Sequence, residues 1–420
     1  MTPGLKILTD LLEKTVRYAV FALLIFTPLA RGAVQGWAVT TIHITLLIAL
    51  TAFLLEKSLT ENRKWPPTPL DKPILALLGL CLISFSFSNL HGISFWAMWL
   101  FVDYCIIFYL FIHLIRYRSH LKQLVYLVMG IACFLCVFGL VKQSGANPFP
   151  WWEYPELGVK DFRMASTYGN ANHLAGYLEM AIPLLMGLWL REFRGPKRFV
   201  MIGLALLFLT VLLFSLSRGG WIGAIVGLGF MSFALTYPKR FKKQKRLYLL
   251  TAGVLAALVI VIVNTPVTER VTTLYEAETE PSFGSRVEVW GGLLEMIWDH
   301  PLWGAGPGTF ATIFTQYQPP GYLSRFFMGH NDYLHFTSEL GIPLLAIVIW
   351  MMIIFYKTGF KKLKNPSRLV RGTTAGAMAG VTAILVHSIS DFNLHIPANA
   401  LLFTLLAALV VGPLPRQNRR

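Results

Sequence analysis

The stretch RFVMIGLALLFLTVLLFSLSRGGWIGAIVGLGFMSFALT, residues 198–236, decides the fold class. It contains two mainly apolar runs, 198–216 and 219–236, which meet at the short sequence SRGG. Each run is long enough to cross roughly 30 Å of hydrocarbon as an α-helix. The stretch therefore predicts two membrane-spanning helices with almost no loop between them.

The whole chain has the composition of a membrane protein. Of its 420 residues, 55% are hydrophobic and only 14% are charged, and the mean hydropathy is +0.57. A soluble chain carries about 25% charged residues. Similar apolar runs occur near 17–31, 35–55, 73–90, 94–115, 122–141, 172–190, 198–216, 219–236, 247–264, 333–356, 370–389 and 396–412. We therefore predict an all-α, polytopic membrane protein with about 12 transmembrane helices.

The basic residues predict the orientation of these helices. If successive connections alternate between two sides, one side holds 29 of the 37 Lys and Arg residues. The remaining eight are Arg31, Lys142, Lys160, Arg163, Arg218, Arg270, Arg286 and Arg325. Because Lys and Arg beside a span are retained in the cytoplasm, both termini are expected there. The net charge of +16 is then mainly an orientation signal and gives no support for nucleic-acid binding.

Two extracytoplasmic connections, 142–171 and 265–332, are long enough to fold. The second is rich in aromatic residues and glycine, and it carries Trp290, Leu293 and Ile297 at helical spacing. We expect a helical periplasmic cap between spans 9 and 10; the alternative is a helix that only anchors at the interface. The predicted organisation is spans 1–5 in 1–141, a loop in 142–171, spans 6–9 in 172–264, the large loop in 265–332, and spans 10–12 with the C-terminus in 333–420.

Two extracytoplasmic arginines lie where helices are predicted to begin. Arg218 must lie at or just below the membrane surface, where a charge is costly without a partner. The glycines after it and the N-terminus of the next helix favour an anionic group. Arg286 follows Gly284-Ser285 and opens the predicted amphipathic helix. Arginine binds phosphate oxygens two at a time, so the two residues together are candidates to hold a diphosphate. The alternatives are snorkelling of Arg218 to lipid headgroups and a salt bridge from Arg286 to Glu288.

Polar residues of two further stretches face the same side. The sequence FMGHNDY, residues 327–333, places His330 where the large loop re-enters the membrane. A histidine can accept a proton near neutral pH, and Asn331 and Asp332 beside it can fix its tautomer, although a lone interfacial histidine is more often structural. The sequence RMASTYGNANH, residues 163–173, precedes a span. Polar side chains that could bind sugar hydroxyls are those of Arg163, Asn170, His173, Asn331 and Asp332.

The short connection between the last two spans carries His387, Asp391 and His395. At positions i, i+4 and i+8 these residues would share a helical face, which raises a metal site. Pro397 and the loop position argue against a continuous helix, so we prefer Asp391 as a charge partner and predict no metal.

Two carboxylates, Glu179 and Asp103, lie within predicted spans. Intramembrane carboxylates are functional candidates, and an interhelical hydrogen bond is the equal alternative here. The sequence contains no P-loop and no HExxH, so ATP hydrolysis and zinc proteolysis lack support. All four cysteines lie within predicted spans, which excludes an extracytoplasmic disulfide framework.

Four sequences, taken in order, resemble the O-antigen ligase family of bacterial membrane glycosyltransferases. They are SRGG at 217–220, GSR at 284–286, HPLWGAGPGTF at 300–310 and GHND at 329–332. The similarity spans residues 160–400, whereas the first five spans are similar only in character. The resemblance implies transfer of a glycan from undecaprenyl diphosphate to an acceptor hydroxyl at the periplasmic face of the bacterial inner membrane, without metal or other cofactor.

The resemblance also assigns residues and partners. Arg218 and Arg286 match the arginines thought to bind the diphosphate, His330 matches the proposed base, and Asp391 matches a catalytic acidic residue near the last outer loop. Single-step attack of the acceptor would invert the anomeric centre. The expected partners are the lipid-linked donor, lipid A core or another hydroxyl acceptor, and membrane lipids. The family also covers polymerases of O-antigen or exopolysaccharide and protein O-glycosylation ligases, so the acceptor and the donor sugars stay open.

A flippase for lipid-linked glycans is the alternative from another functional class. It would also place arginines near phosphates, but it should offer basic residues along a continuous path through the spans. The candidate residues here cluster at one face, and the large loop belongs to that same face.

Overall fold

The computed structural model describes residues 2–60, 67–146, 163–189, 195–236, 281–322 and 324–416. Within these ranges the chain forms helices and no strand. The helices are α1 (Pro3–Leu29), α2 (Gly36–Leu59), α3 (Asp71–Phe87), α4 (His91–Leu114), α5 (Arg118–Gln143), α6 (Ala171–Trp189), α7 (Lys197–Phe214), α8 (Arg218–Thr236), α9 (Pro281–Asp299), α10 (Phe310–Ile313), α11 (Asp332–Leu340), α12 (Pro343–Lys362), α13 (Arg368–His387) and α14 (Pro397–Val411).

Seven of the described helices are long and apolar enough to cross a membrane. They are α2, α4, α5, α7, α8, α12 and α13, and α14 is a shorter apolar helix. The predicted all-α, multi-pass membrane architecture is therefore confirmed. The count of 12 spans stays a prediction, because the ninth predicted span, 247–264, lies outside the described residues.

The tenth span was predicted over 333–356, and this prediction is wrong in its start. Helix α11 ends at Leu340, and the membrane-length helix α12 begins only at Pro343. Between them Gly341 has a φ of +84°, and a Cβ at this position would overlap the backbone of Leu302. Only glycine adopts this conformation readily. The apolar run therefore contains a sharp break that its composition does not reveal.

Helices α6, α8 and α13 pack closely against one another. A Cβ at Gly187 of α6 would overlap the backbone of Gly372 in α13, and a Cβ at Gly227 of α8 would lie 2.7 Å from the carbonyl oxygen of Ala379. Such small residues let membrane helices approach closely, which increases van der Waals contact between them. The packing buries most of α6 and brings polar residues of all three helices together at one end.

That end, here called the site end, joins segments that are distant in sequence. The backbone N–H of Met164 donates to the carbonyl of Phe214 at the end of α7. Thr167 donates to the carbonyl of Pro28 in α1, and the Tyr168 hydroxyl donates to Asn399 in α14. At the opposite end, Arg118 and Arg416 pair through their backbones. If successive connections alternate between two sides, these are the helix ends that are expected to meet on the same side.

Helices α9–α11 form a small unit with its own hydrophobic cluster. Val289, Leu293 and Met296 of α9 pack with Phe310 and Phe314 from the segment around α10. The opposite face of α9 exposes Leu294 and Trp298, the latter 84% accessible. The predicted large loop, 265–332, therefore contains helices α9 and α10, while 265–280 lies outside the described residues. That these helices form a periplasmic cap stays a prediction.

Candidate active site

Asp391 lies buried in the turn between α13 and α14. Its Oδ2 accepts a hydrogen bond from Asn172 Nδ2 at 2.6 Å, and its Oδ1 accepts the backbone N–H of Phe392 at 2.8 Å. Burial alone raises the pKa of the Asp391 carboxyl, but His387, His173 and Arg286 outweigh it and hold that pKa below its usual range. Asp391 is therefore a fixed negative charge at the site end.

Arg163 is connected to this carboxylate through Asn172. Its Nε donates to the carbonyl of Ser215 at 3.0 Å, and its Nη2 donates to Asn172 Oδ1. Asn170 accepts the backbone N–H of Asn172 at 2.9 Å at the start of α6. Arg163 and Asn170 thus orient Asn172 toward Asp391. That they contact a glycan stays a prediction.

Of the two predicted diphosphate-binding arginines, Arg286 contacts Ser390, and Gly219, which follows Arg218, lies beside it. Arg218 is the first residue of α8, as predicted, and a Cβ on the neighbouring Gly219 would lie 3.1 Å from Ser390 Oγ. Arg286 Nη1 donates to the carbonyl of Ser390 at 2.6 Å. Helix α9 begins at Pro281, so the expectation that Arg286 opens a helix is wrong: Arg286 lies in its second turn. Both arginines are half-buried.

His330 lies against the same turn. Its backbone is left-handed, with a φ of +49°, and its imidazole packs edge-on against Phe392 at 5.0 Å between ring centroids. The buried His173 packs against Phe392 at 4.9 Å. Burial lowers the pKa of His330, and Arg286 lowers it further, while Asp391 partly offsets them. His330 Nδ1 is buried and has no hydrogen-bond partner among the described residues.

Asn331 and Asp332 hold the segment that carries His330. Asn331 caps α11 by accepting the backbone N–H of Leu334 at 3.0 Å. Asp332 accepts hydrogen bonds from the hydroxyl of Ser388 at 2.7 Å and from the backbone N–H of Leu394 at 3.0 Å. These bonds tie the start of α11 to the α13–α14 turn and so fix His330 beside Phe392. Contacts of Asn331 and Asp332 with a glycan stay a prediction.

The described residues contain one group with metal-ligand chemistry, His335, Glu339 and His395, whose donor atoms lie within 4.8 Å of one another. His335 and Glu339 are engaged within the protein, whereas His395 Nε2 is buried without a hydrogen-bond partner among the described residues. His335 Nδ1 accepts the backbone N–H of Gly329, so its Nε2 carries the proton and faces Glu339 Oε1 at 3.3 Å. The His335 ring also stacks on His395 at 4.0 Å. Both residues thereby help to hold α11 against the turn.

His387, Asp391 and His395 do not share a helical face, in agreement with the argument from Pro397 and the loop position. Helix α13 ends at His387, and a separate 3-10 turn covers Asn393–His395. His395 instead pairs with Asp332 at 2.6 Å, and His387 pairs with Glu179 at 3.1 Å. The three residues therefore have three different environments.

Sequence reasoning missed Asn172, Phe392 and the role of His387. Asn172 lay inside the quoted stretch 163–173, but nothing in that stretch showed that its amide reaches a carboxylate 219 residues later. Phe392 is apolar and carried no chemical signal. Glu179 was recognised as an intramembrane carboxylate, and His387 as a polar residue near a loop, but only the packing of α6 against α13 joins them.

A family model described as O-Antigen ligase matches residues 203–349. The predicted resemblance to this family is therefore confirmed over a segment that contains Arg218, Arg286 and His330 and leaves Arg163 and Asp391 outside. The match supports a role as a membrane glycosyltransferase of the ligase or polymerase type. No curated protein matches the chain.

Proposed function

We propose that the protein transfers a glycan from undecaprenyl diphosphate to an acceptor hydroxyl, in the manner of an O-antigen ligase, at the site end. The observation that carries the proposal is the grouping around Ser390. Arg286 donates to its carbonyl, and the turn that carries Arg218 packs against its side chain. His330 lies beside the adjacent Phe392.

The two arginines would bind the diphosphate. Both are half-buried and lie beside the ends of membrane helices, where the phosphates of a lipid-linked donor must lie. Two guanidinium groups offer planar pairs of donors for phosphate oxygens, and the N-terminus of α8 adds the positive end of the helix dipole. Charge on the departing diphosphate is localised on its oxygens, so positioned guanidinium groups stabilise the transition state directly.

His330 would be the general base. The acceptor oxygen forms a bond to the anomeric carbon, the bond from that carbon to the diphosphate oxygen breaks, and the hydroxyl proton moves to the imidazole. The diphosphate leaves with the electron pair, and the single displacement inverts the anomeric centre. A lowered pKa keeps His330 neutral, and therefore able to accept the proton, across the neutral range.

Asp391 would position this machinery rather than touch the substrate, because both its oxygens already accept hydrogen bonds within the protein. Its charge lies among His173, His330 and Arg286. The site end would face the periplasm, with both termini in the cytoplasm of a bacterium, according to the distribution of basic residues.

The function is tested by transfer in proteoliposomes. Purified protein receives undecaprenyl diphosphate carrying a labelled glycan, either alone or with lipid A core, and products are resolved by gel electrophoresis. A labelled product that requires the core acceptor indicates a ligase, and a ladder of repeat lengths from donor alone indicates a polymerase. Movement of unchanged donor between leaflets, with no new glycosidic bond, would contradict the proposal and favour a flippase.

A further inference from the structure

Two buried ionisable side chains behind the Arg218 turn have no part in the proposed transfer. Glu179 of α6 is 0% exposed, and His387, the last residue of α13, is 1% exposed. His387 Nδ1 lies 3.1 Å from Glu179 Oε1. A carboxylate and an imidazole buried together are costly to desolvate, and removing one partner leaves the other uncompensated.

The pair lies against the first two turns of α8, where the residues that face it are Gly219 and Gly223. A Cβ at Gly219 would overlap the His387 imidazole, and a Cβ at Gly223 would lie 2.6 Å from Glu179 Oε2. Gly219 directly follows Arg218 in the sequence. Because neither glycine has a side chain, Glu179 and His387 have room to contact the start of α8.

The pair also contacts the turn through Ser217. His387 Nε2 lies 3.5 Å from Ser217 Oγ, and that hydroxyl accepts the backbone N–H of Gly220 at 3.3 Å. A carboxylate at Nδ1 fixes which ring nitrogen carries the proton and which way the ring faces. A chain of polar contacts thus runs from Glu179 through His387 and Ser217 to the backbone on both sides of Arg218.

We propose that Glu179 and His387 are positioning residues of the diphosphate site, which hold the Ser217–Gly220 turn so that the Arg218 guanidinium is directed at the diphosphate. This inference rests on the proposed function, because it needs Arg218 to bind phosphate. It concerns residues that act through Arg218 and do not touch the donor.

Other close contacts among these three helices are made by small or apolar residues, which distinguishes this ionisable pair from them. Deeper in the bundle, α8 and α13 meet through Gly227 and Ala379, and α13 and α6 meet through Gly380 and Met180. The carboxylate and the imidazole occur only at the level of the turn. Another carboxylate–histidine pair, Asp103 with His43 at 2.5 Å, joins α4 to α2 and offers a matched comparison.

The test measures equilibrium binding of undecaprenyl diphosphate to the purified full chain in detergent. Four proteins are compared: the parent, Glu179→Gln, Arg218→Ala and the double variant. Glu179→Gln should weaken binding about fivefold, within the coupling energies found for residues that share a network. The double variant should bind no more weakly than Arg218→Ala alone. Asp103→Asn, which alters the matched pair, should bind as the parent does.

Two serine variants keep the test decisive if Glu179→Gln fails to fold. Ser217→Ala leaves the buried pair intact but cuts its contact with the turn, so it should reproduce the loss of affinity. Ser217→Thr retains the hydroxyl and should restore it. All variants are first checked for a single symmetric peak in size-exclusion chromatography.

The outcomes separate this inference from the proposed function. If Arg218→Ala weakens binding while Glu179→Gln and Ser217→Ala do not, the positioning role is wrong and the proposed function stands. If Glu179→Gln weakens binding equally with and without Arg218, the effect does not pass through Arg218 and the inference is also wrong. If Arg218→Ala itself binds as the parent does, the proposed diphosphate site is wrong and this inference falls with it.

Discussion

At the scale of single residues, the backbone around His330 explains how an ordinary imidazole becomes a candidate base. Its positive φ turns the ring toward Phe392, and the hydrogen bonds of Asp332 to Ser388 and Leu394 hold the segment in place. A non-glycine residue in the left-handed region is uncommon and is found where the surroundings enforce it. The surrounding contacts therefore hold His330 in a backbone conformation that is unfavourable for a non-glycine residue, and they fix the orientation of its imidazole.

The lowered pKa of His330 predicts the pH dependence of transfer. A general base must be neutral, so the rate falls as the pH falls through the pKa of His330. Because burial lowers that pKa, the midpoint of the acidic limb should lie below the ordinary value of about 6.5. Asp391→Asn removes a charge that raises the pKa of His330, so it should move the midpoint further toward acid. The measurement is the pH profile of kcat/KM for both proteins, because kcat/KM reports the pKa of the protein without bound donor.

The profile has two controls. His330→Gln should lower kcat by about 100-fold or more, the usual contribution of a general base, and should abolish the acidic limb. A midpoint above the ordinary histidine value, or an unchanged limb in His330→Gln, would show that another group accepts the proton.

At the scale of elements, the contact of α6 with α13 determines whether the site can form. Gly187 and Gly372 meet backbone to backbone, and this approach sets the distance at which Glu179 reaches His387. The site end is therefore coupled to a packing contact one helix length away.

Gly372→Ala should destabilise the protein by about 1–3 kcal/mol, because the added methyl group has no space against α6. The matched control is Gly203→Ala in α7, where a Cβ meets nothing within 4 Å. This change should leave stability unchanged or raise it slightly, since alanine favours helices more than glycine does. The measurement is the midpoint of thermal unfolding in detergent, followed by intrinsic fluorescence. Equal midpoints for the two variants would contradict the close-packing account.

The elements also show how far sequence reasoning reaches. Apolar run lengths predicted the described membrane helices well, because crossing hydrocarbon demands a minimum length whatever the tertiary packing. They missed the break at Gly341, because a glycine does not interrupt an apolar run. Its positive φ and the close approach of Leu302, which leaves no room for a Cβ, have no signal in the run. The start of α9 was missed in the same way: helix ends depend on tertiary contacts as well as on local sequence.

At the scale of the whole molecule, charge and alternation predicted which connections share an end, and the contacts at each end agree with that grouping. Candidate residues from 163–173, 218, 286, 330 and 391 were thus expected at one face from topology alone. Their partners were not predictable, because Asn172, Phe392 and His387 enter through long-range packing. Charge patterns indicate the side of the membrane, whereas the geometry of a site depends on contacts that have no local signature.

The central claim is that Arg218 and Arg286 together hold the donor diphosphate, and steady-state transfer by arginine variants tests it most directly. Arg325 provides the control, because it is basic, exposed and part of the same long loop. With undecaprenyl diphosphate glycan and a fixed acceptor, Arg218→Ala and Arg286→Ala should each lower kcat/KM by about 100-fold or more, as expected for loss of a donor to a developing oxyanion. Arg325→Ala should transfer at the parent rate. If the Arg218 and Arg286 variants also retained the parent kcat/KM, the claim would be contradicted.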